Sequence, residues 1–256
     1  MSLTFEARTD TGRKRDHNED TFHVNVDESL FIVADGMGGQ AAGETASSLA
    51  VKNIDEFIRN TREDSDITWP IEYNSRLSRN ANRLEAAIRL AHKKIYEFSL
   101  TKSYLGGMGT TTVSVLFDEK NTMTYANVGD SRIYIIRNDD IDQITTDHSW
   151  VNEQVKLGLL TEKQAKNHPY RNVVTRALGG KDEFDVDVDE LELKGNDIIL
   201  MCSDGLTTMV PDSEILRIVQ KSNDNLDRSV KSLIRTANEA GGDDNITVIL
   251  IRYTDD

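Results

Sequence analysis

The sequence predicts an α+β fold of four layers, in which two antiparallel sheets pack face to face and an antiparallel helix pair flanks each outer face. Two observations lead to this prediction. Strand-like segments occur in groups joined by short polar turns, whereas the helical patterns occur in adjacent pairs between those groups. Strictly alternating strands and helices, which are typical of parallel sheets, do not describe this order.

The first predicted element is a β-hairpin. Apolar and polar residues alternate over 20–26, a continuous apolar run covers 30–34, and the polar link over 27–29 is short enough for a turn. If the two strands pair symmetrically about that link, Asp20 lies directly opposite Asp35. Like charges in opposed positions destabilise a sheet, so this pairing requires an explanation.

Groups of helices and strands follow along the rest of the chain. The longer predicted helices carry their apolar residues on one face, at the spacing of the helical period. One short helix begins at Thr161 with Gln164 three residues later, a pattern typical of a capping box. In order, the remaining predictions are helices over 43–59 and 77–98, strands over 110–138, two short helices within 145–176, strands over 185–203, helices over about 212–221 and 225–240, and a last strand over 245–253.

The bulk composition narrows the class of protein. The chain has 256 residues, 38% of them hydrophobic, and no linker-like run or internal repeat, so we expect a single domain over 1–256. Its net charge of −14, from 30 basic and 44 acidic residues, argues against binding to nucleic acid or anionic lipid. The longest apolar runs are about five residues, too short for insertion into a membrane, and the N-terminus has no signal-peptide pattern. The one cysteine, Cys202, excludes an internal disulfide, so we expect a cytoplasmic location.

Acidic residues recur where predicted strands end or break. Asp35 and Asp204 each end a buried run and precede a glycine, whereas Asp130 lies at the break between two strands. Asp244 comes just before the last strand, and it would share a sheet edge with Asp204 if the two strands concerned pair antiparallel. A bound divalent cation would remove the repulsion among such acids and supply their missing counter-charge.

The ligand type selects the cation. Sites built from oxygen atoms suit Mg²⁺, Mn²⁺ or Ca²⁺, whereas Zn²⁺ prefers histidine and cysteine. The five histidines have no paired spacing, and the acidic segment over 185–196 lacks the glycine and glutamate of an EF-hand loop. The alternative for each single acid is an ordinary Asp–Gly turn. Asp20 belongs to no such dipeptide, which favours a cation site.

Arg15 is a candidate for binding phosphate. It precedes Glu19 by four residues, on the run that leads into the same hairpin. Arginine can hold a phosphate group through two parallel hydrogen bonds. The alternative is that residues 13–15 form a basic run that is merely solvated.

Eight motifs occur in order along the chain: RDHNED, VADGMGGQAAGE, GMGTTTV, NVGDSRIY, TTDHS, HPYRNVVTRALG, CSDGLTTMV and GGDDNITVI. In their order and spacing they resemble those of bacterial type 2C protein phosphatases, which are metal-dependent protein serine/threonine phosphatases. The resemblance extends from about Arg8 to Arg252, almost the whole chain. It implies a central sandwich of two antiparallel sheets flanked by helix pairs, with two Mn²⁺ or Mg²⁺ ions at one edge.

The resemblance also implies roles for individual residues in this core site. Asp20 and Asp35 correspond to residues that contribute carboxylates to the metals, and Gly36 to one that contributes its backbone carbonyl. Asp204 and Asp244 correspond to the residues that complete the ligand set.

Further residues correspond to positions around the core site. Asp130 matches a residue that helps to hold a third, weaker metal. Arg15 matches the arginine that holds the substrate phosphate, and Glu19 matches an acid that acts through water. The segment over about 148–175 matches a flap beside the active site.

The activity implied by the resemblance is hydrolysis of phosphoserine and phosphothreonine in proteins, by a metal-activated water that bridges the two ions. The implied partners are phosphorylated proteins, namely a eukaryote-like Ser/Thr protein kinase and its substrates, and we expect a monomer. The loop of a cysteine phosphatase is not present, because the residue six positions after Cys202 is Thr208 rather than arginine.

Two positions depart from many relatives, and two alternative functions stay open. Met37 stands where a histidine is proposed to protonate the leaving group, and Thr208 stands where some relatives have an acid that affects the third metal. One alternative is a catalytically silent relative that binds phosphoproteins, which a loss of the metal acids would indicate. The other is a partner-switching regulator, a class that generally lacks the arginine found here as Arg15.

Overall fold

The computed structural model describes residues 2–39, 41–62, 72–180, 185–222 and 225–255. The strands are β1 (Ser2–Asp10), β2 (Asp20–Asn25), β3 (Leu30–Met37), β4 (Gly109–Thr110), β5 (Thr112–Phe117), β6 (Thr122–Val128), β7 (Arg132–Arg137), β8 (Asp140–Gln143), β9 (Asp187–Glu192), β10 (Ile198–Cys202) and β11 (Ile246–Thr254). The α-helices are α1 (Ala41–Asn60), α2 (Arg79–Ser99), α3 (Trp150–Lys156), α4 (Glu162–Lys166), α5 (Asp204–Thr207), α6 (Asp212–Lys221) and α7 (Leu226–Glu239). None of the described helices combines the length and the apolar character needed to cross a bilayer.

The strands form two antiparallel sheets. The first contains β1, β11, β10, β7 and β8 in that order, and the second contains β2, β3, β5, β6 and β9, with β4 beside β3. Every neighbouring pair is antiparallel. The four long predicted helices occur as α1, α2, α6 and α7, and their ends differ from the prediction by no more than two residues.

Alternate side chains of β3 show how the layers form. Phe31 and Val33 pack in the layer between the two sheets, whereas Leu30, Ile32 and Ala34 pack against α1 and α2. A strand buried on both faces has a continuous apolar sequence, which is why no alternation is visible here. On the other side of the molecule, α6 and α7 cover the outer face of the first sheet. The predicted four-layer sandwich is confirmed.

The opening hairpin, β2 and β3, has the predicted register. Asp20 pairs directly with Asp35 at its open end. The turn is closed by Ser29, whose N–H donates to the carbonyl of Val26 at 3.1 Å. Ser29 has a φ of 52°, in the left-handed region, so the chain reverses within the polar link that the sequence shows.

Three elements, β1, β8 and α5, are missing from the prediction. In β1, Leu3, Phe5 and Ala7 alternate with polar residues and pack in the layer between the sheets. This alternation is short, and the segment becomes a strand because all nine residues of β1 pair with β11. β8 and α5 have only four residues each, too few to show a period.

The segment over 148–175 lies between β8 and β9 and contains α3 and α4. Thr161 and Gln164 form the predicted capping box at the start of α4. The two ends of the segment meet where Ser149 and Val174 form an isolated β-bridge.

Candidate metal centre

Asp20 lies at the start of β2 and is buried, with 7% of its surface exposed. Its Oδ2 atom accepts hydrogen bonds from Ser203 Oγ and Thr247 Oγ1, both at 2.7 Å. Its Oδ1 atom is buried and has no hydrogen-bond partner among the described residues. A buried polar atom without a partner is costly, so this oxygen is suited to a cation.

The main chain of Asp35 is held by the last residue of β4 and the residue that follows it. Thr111 donates its N–H to the Asp35 carbonyl at 2.8 Å, and Thr110 donates its hydroxyl to the same oxygen at 2.9 Å. The Asp35 N–H in turn donates to Thr111 Oγ1 at 3.1 Å. Thr111 Oγ1 also lies 2.8 Å from Ser131 Oγ, which connects Asp35 to the loop that carries Asp130.

Asp204 begins α5 directly after β10. The next residue is a glycine because a Cβ on Gly205 would overlap the carbonyl oxygen of Asn245. β10 and β11 pair antiparallel, as expected, and Asp204 and Asp244 are close enough to interact electrostatically. Asp204 Oδ1 is a second carboxylate oxygen that is buried without a partner among the described residues.

Asn245 joins the two ends of the chain at this edge. Its Oδ1 atom accepts a hydrogen bond from the Glu19 N–H at 2.8 Å. Its Nδ2 group donates to the carbonyls of Thr11 and His17, both at 2.9 Å. The loop before β2 is therefore held against the loop before β11, and this contact brings the N-terminal and C-terminal acids together.

Asp130 lies in the loop between β6 and β7. The loop depends on Gly129, which has a φ of 110° and whose Cβ would lie 2.5 Å from the Thr111 side chain. The Gly129 N–H donates to His148 Nδ1 at 3.1 Å, so Nδ1 is unprotonated. The proton of the neutral ring is therefore on Nε2, which lies 3.0 Å from Asp187 Oδ2. Burial lowers the pKa of His148, which keeps this neutral form.

The acids share one electrostatic environment. Burial raises the pKa of Asp20 to about 7, and the charges of Asp204 and Asp244 act in the same direction. Burial also raises the pKa of Asp35 well above its usual value, with Asp20 as the strongest charged contributor. Burial raises the pKa of Asp130 to about 7 and that of Asp204 to about 6, and neighbouring acids add to both shifts. These four carboxyl groups therefore need a counter-charge if all of them are to be ionised together.

The oxygen ligands gathered here fit Mg²⁺ or Mn²⁺, bound together with water molecules. Within the described ranges, no three Asp, Glu, His or Cys side chains converge closely enough to form a ready-made cage. Mg²⁺ typically keeps several waters and takes only one or two carboxylates. The buried oxygens of Asp20 and Asp204, which have no partner among the described residues, match that requirement.

Arg15 lies at the exposed side of these acids. Its Nη2 atom contacts Asp244 Oδ2 at 2.6 Å, and about half of its side-chain surface is exposed. Burial alone would lower the pKa of Arg15, but Asp244, Glu19 and Asp35 raise it. The arginine predicted to bind phosphate is thus beside the predicted metal acids, through an ion pair that the sequence did not predict.

Gly36 is required by packing. A Cβ at this position would overlap the carbonyl oxygen of Gly43 in the first turn of α1 and would lie 2.6 Å from the carbonyl oxygen of Glu19. The side chain of Glu19 also lies against Gly43, and burial raises its pKa. The two glycines allow α1 to start directly beside the hairpin that carries the acids.

Sequence reasoning assigned no role to Ser203, Thr247 or Asn245. The available signals are weak: Ser203 and Asn245 adjoin acids in the CSDG and GGDDN motifs, and Thr247 is a polar residue within the apolar run of β11. Their contacts join residues more than 180 positions apart, so only the folded chain shows them.

Comparison with known proteins identifies the family of this chain. The family model for protein phosphatase 2C matches residues 6–246. The chain is 38% identical over 253 residues to the serine/threonine phosphatase stp of Listeria innocua, covering 96% of this chain and 94% of the relative. It is 39% identical over 251 residues to the protein phosphatase PhpP of Streptococcus pneumoniae, covering 97% and 96%.

A solved structure of the catalytic domain of the serine/threonine protein phosphatase PstP, in complex with two manganese ions, has the same fold. It superposes with a TM-score of 0.83 at 32% sequence identity, covering 99% of both chains. The match of the family model to most of the sequence, together with relatives of nearly equal length, shows that this chain is a serine/threonine phosphatase and belongs to the protein phosphatase 2C family.

Proposed function

We propose that this phosphatase hydrolyses phosphoserine and phosphothreonine in proteins with two Mn²⁺ or Mg²⁺ ions, at the edge where the acids gather. The observation that carries the proposal is the pair of buried oxygens, Asp20 Oδ1 and Asp204 Oδ1, without partners among the described residues. The two manganese ions in a relative of the same fold support it.

The proposed ligands of the two ions are the carboxylates of Asp20, Asp35, Asp204 and Asp244 and the carbonyl of Gly36, with Asp130 assisting a third, weaker ion. When bound, the ions lower the pKa of an attacking water and offset the charge of the phosphoryl group. Ser203 and Thr247 occupy Oδ2 of Asp20 and thereby leave its buried Oδ1 atom for a metal ion. Such outer contacts orient ligands and increase their affinity for metal.

Arg15 binds the substrate phosphate in this proposal. A guanidinium carries five N–H donors in a fixed plane, and one of its nitrogens is used by Asp244. The remaining donors are available for phosphate oxygens, and the half-exposed position leaves room for a substrate. Arg15 therefore aligns the phosphate with the acids, while Asp244 holds the guanidinium in place.

Two residues restrict how the reaction is completed. Met37 has no proton to donate, so the leaving alkoxide does not take its proton from residue 37. Cys202 is fully buried, and burial raises the pKa of its thiol to about 12. A thiol of this kind does not form a covalent intermediate, which agrees with the proposed direct attack by water on phosphorus.

The proposed partners are phosphorylated proteins that a eukaryote-like Ser/Thr protein kinase supplies, and the kinase itself. This proposal rests on membership of the protein phosphatase 2C family and on the serine/threonine phosphatases among the relatives.

The experiment that tests the function is hydrolysis of a phosphothreonine peptide with Mn²⁺, with Mg²⁺ and with a chelator. We expect activity only with added metal, and no activity for Asp35→Asn. Asp142→Asn is the matched control, since it makes the same change at an exposed position of β8. Full activity in excess chelator would overturn the metal mechanism.

A further inference from the structure

A groove lined by basic residues lies between α7 and the N-terminal strands, beside the metal centre. It consists of two adjoining depressions of about 420 and 410 Å³ that share Lys231 and Arg235. Arg8 and Arg13 line the first, and Arg228 lines the second. We call these five residues and the space between them the basic groove.

The acids of the basic groove are already paired. Asp227 accepts hydrogen bonds from Arg8 and Lys231, both at 2.7 Å. The second acid, Asp10, accepts from the Gly12 N–H at 2.9 Å and from Asn238 Nδ2 at 3.0 Å.

Three of the groove arginines have no close acid. Arg13 and Arg228 form no ion pair with any described residue, and Arg235 lies 3.9 Å from Glu239, with both side chains 70% exposed. The groove therefore has an excess of positive charge on a chain whose net charge is −14.

Two contacts connect the basic groove to the metal centre. Arg13 is two positions from Arg15 in the chain. Its N–H donates to the carbonyl of Gly242 at 2.7 Å, and Gly242 lies two positions before Asp244. In the groove wall, Thr9 Oγ1 lies 2.8 Å from Thr247 Oγ1, the hydroxyl that donates to Asp20. A peptide held by Arg15 through its phosphate can thus continue into the groove.

We propose that the basic groove binds an acidic segment of the phosphoprotein substrate, next to the phosphorylated residue. The inference rests on the proposed function and names its substrate class. A protein of net charge −14 repels an anionic phosphoprotein, and a local cluster of cations offsets that repulsion where the substrate must lie. Phe22 and Ile234 also line the groove, where they present apolar surface to the side-chain stems of the segment.

The test compares two phosphothreonine peptides that differ only in their flanking residues, glutamates in one and glutamines in the other. Two or three ion pairs at the exposed rim of the groove predict a preference of about tenfold in kcat/KM for the acidic peptide. The preference should shrink as salt is added, because exposed ion pairs are screened.

The variant Arg13→Glu/Arg235→Glu should abolish this preference while leaving hydrolysis of p-nitrophenyl phosphate unchanged, because that substrate is too small to reach the groove. The matched control is Lys93→Glu/Lys94→Glu on α2, which changes the net charge equally at exposed positions of another layer. Arg235→Glu alone is the fallback variant if the double variant fails to fold. It should lose part of the preference.

Binding of a fluorescent acidic peptide without phosphate separates the groove from the chemistry. Wild type and the Lys93→Glu/Lys94→Glu control should bind it, and the groove variant should not. Equal kcat/KM for the two phosphopeptides in wild type, or an unchanged preference in the groove variant, overturns the proposal. Activity without added metal, or no activity on either phosphopeptide, would refute the proposed function instead. The binding of the peptide without phosphate would then test the groove proposal independently. The groove proposal would also be refuted if a basic peptide or a polynucleotide bound to the protein as tightly as the acidic peptide.

Discussion

Arg15 and Asp244 form an ion pair of 2.6 Å at the exposed side of the acidic cluster, although 229 positions separate them in the chain. The pair joins the residue proposed to bind phosphate to a residue proposed to bind metal. Arg15 is therefore held in place before any substrate arrives, which reduces the entropy lost when phosphate binds. In the proposed function, phosphate binding and metal binding would therefore share the carboxylate of Asp244.

Arg15→Ala should raise KM and cost about 2–3 kcal/mol in kcat/KM, because a charge-assisted contact to phosphate is lost. Arg15→Lys should recover only part of the loss, since an ammonium group cannot make the two parallel hydrogen bonds of a guanidinium. Affinity for Mn²⁺ should not fall, because the substitution frees Asp244 from a competing cation. Steady-state kinetics and a Mn²⁺ titration check these outcomes, and unchanged kinetics would assign Arg15 to the solvated basic run.

Asp35→Asn should have opposite effects on activity and on the stability of the metal-free protein. Hydrolysis should be abolished, because an amide is a poorer cation ligand. In chelator the variant should melt at the wild-type temperature or above, because the charge that faces Asp20 across the hairpin is removed. Mn²⁺ should raise the melting temperature of wild type by mass action and that of the variant much less.

Thermal melts of wild type, Asp35→Asn and the Asp142→Asn control, each with chelator and with Mn²⁺, give the answer. The contacts of Thr110 and Thr111 to Asp35 involve its main chain and survive the substitution. A variant that melts well below wild type in chelator would show that the carboxylate stabilises the fold, and the electrostatic explanation would be wrong.

Thr247→Val should weaken metal binding without a change at any proposed ligand. The valine keeps the shape of threonine but cannot donate to Asp20 Oδ2, and loss of such an orienting contact typically costs about 10–100-fold in metal affinity. Thr247→Ser should retain most of the affinity. Thr254→Val is the control, because it makes the same change at the far end of β11. Calorimetric titration with Mn²⁺ measures the effect, and equal affinities for Thr247→Val and wild type would contradict it.

The flap, about Ser149 to Thr175, should exchange its amide hydrogens faster than β10. Its buried apolar anchors in α3 and α4 are limited to Val151 and Ala165, and Leu157 and Leu159 are largely exposed. Segments with few buried contacts open at low free energy. Hydrogen exchange followed by mass spectrometry gives the comparison, and protection in the flap equal to that in β10 would contradict the prediction.

Local patterns in the sequence determined much of the architecture. The apolar runs and the polar link predicted the hairpin and its register, which placed Asp20 opposite Asp35. The helical period located the four long helices, and the Thr161 capping box was visible from two residues. These features depend on turn chemistry and on side-chain periods over a few residues, so they are determined before any long-range contact forms.

Only the tertiary structure decided which distant segments meet. β1 has a weak strand pattern and becomes a strand by pairing with β11 at the other end of the chain. The same closure brings Asn245 against the loop before β2, Thr247 to Asp20, and Arg8 to Asp227. These contacts support the candidate metal centre and form the wall of the basic groove. The physical reason is that contacts between residues more than 200 positions apart depend on the packing of both sheets, whereas a sequence pattern reports only what neighbours along the chain prefer.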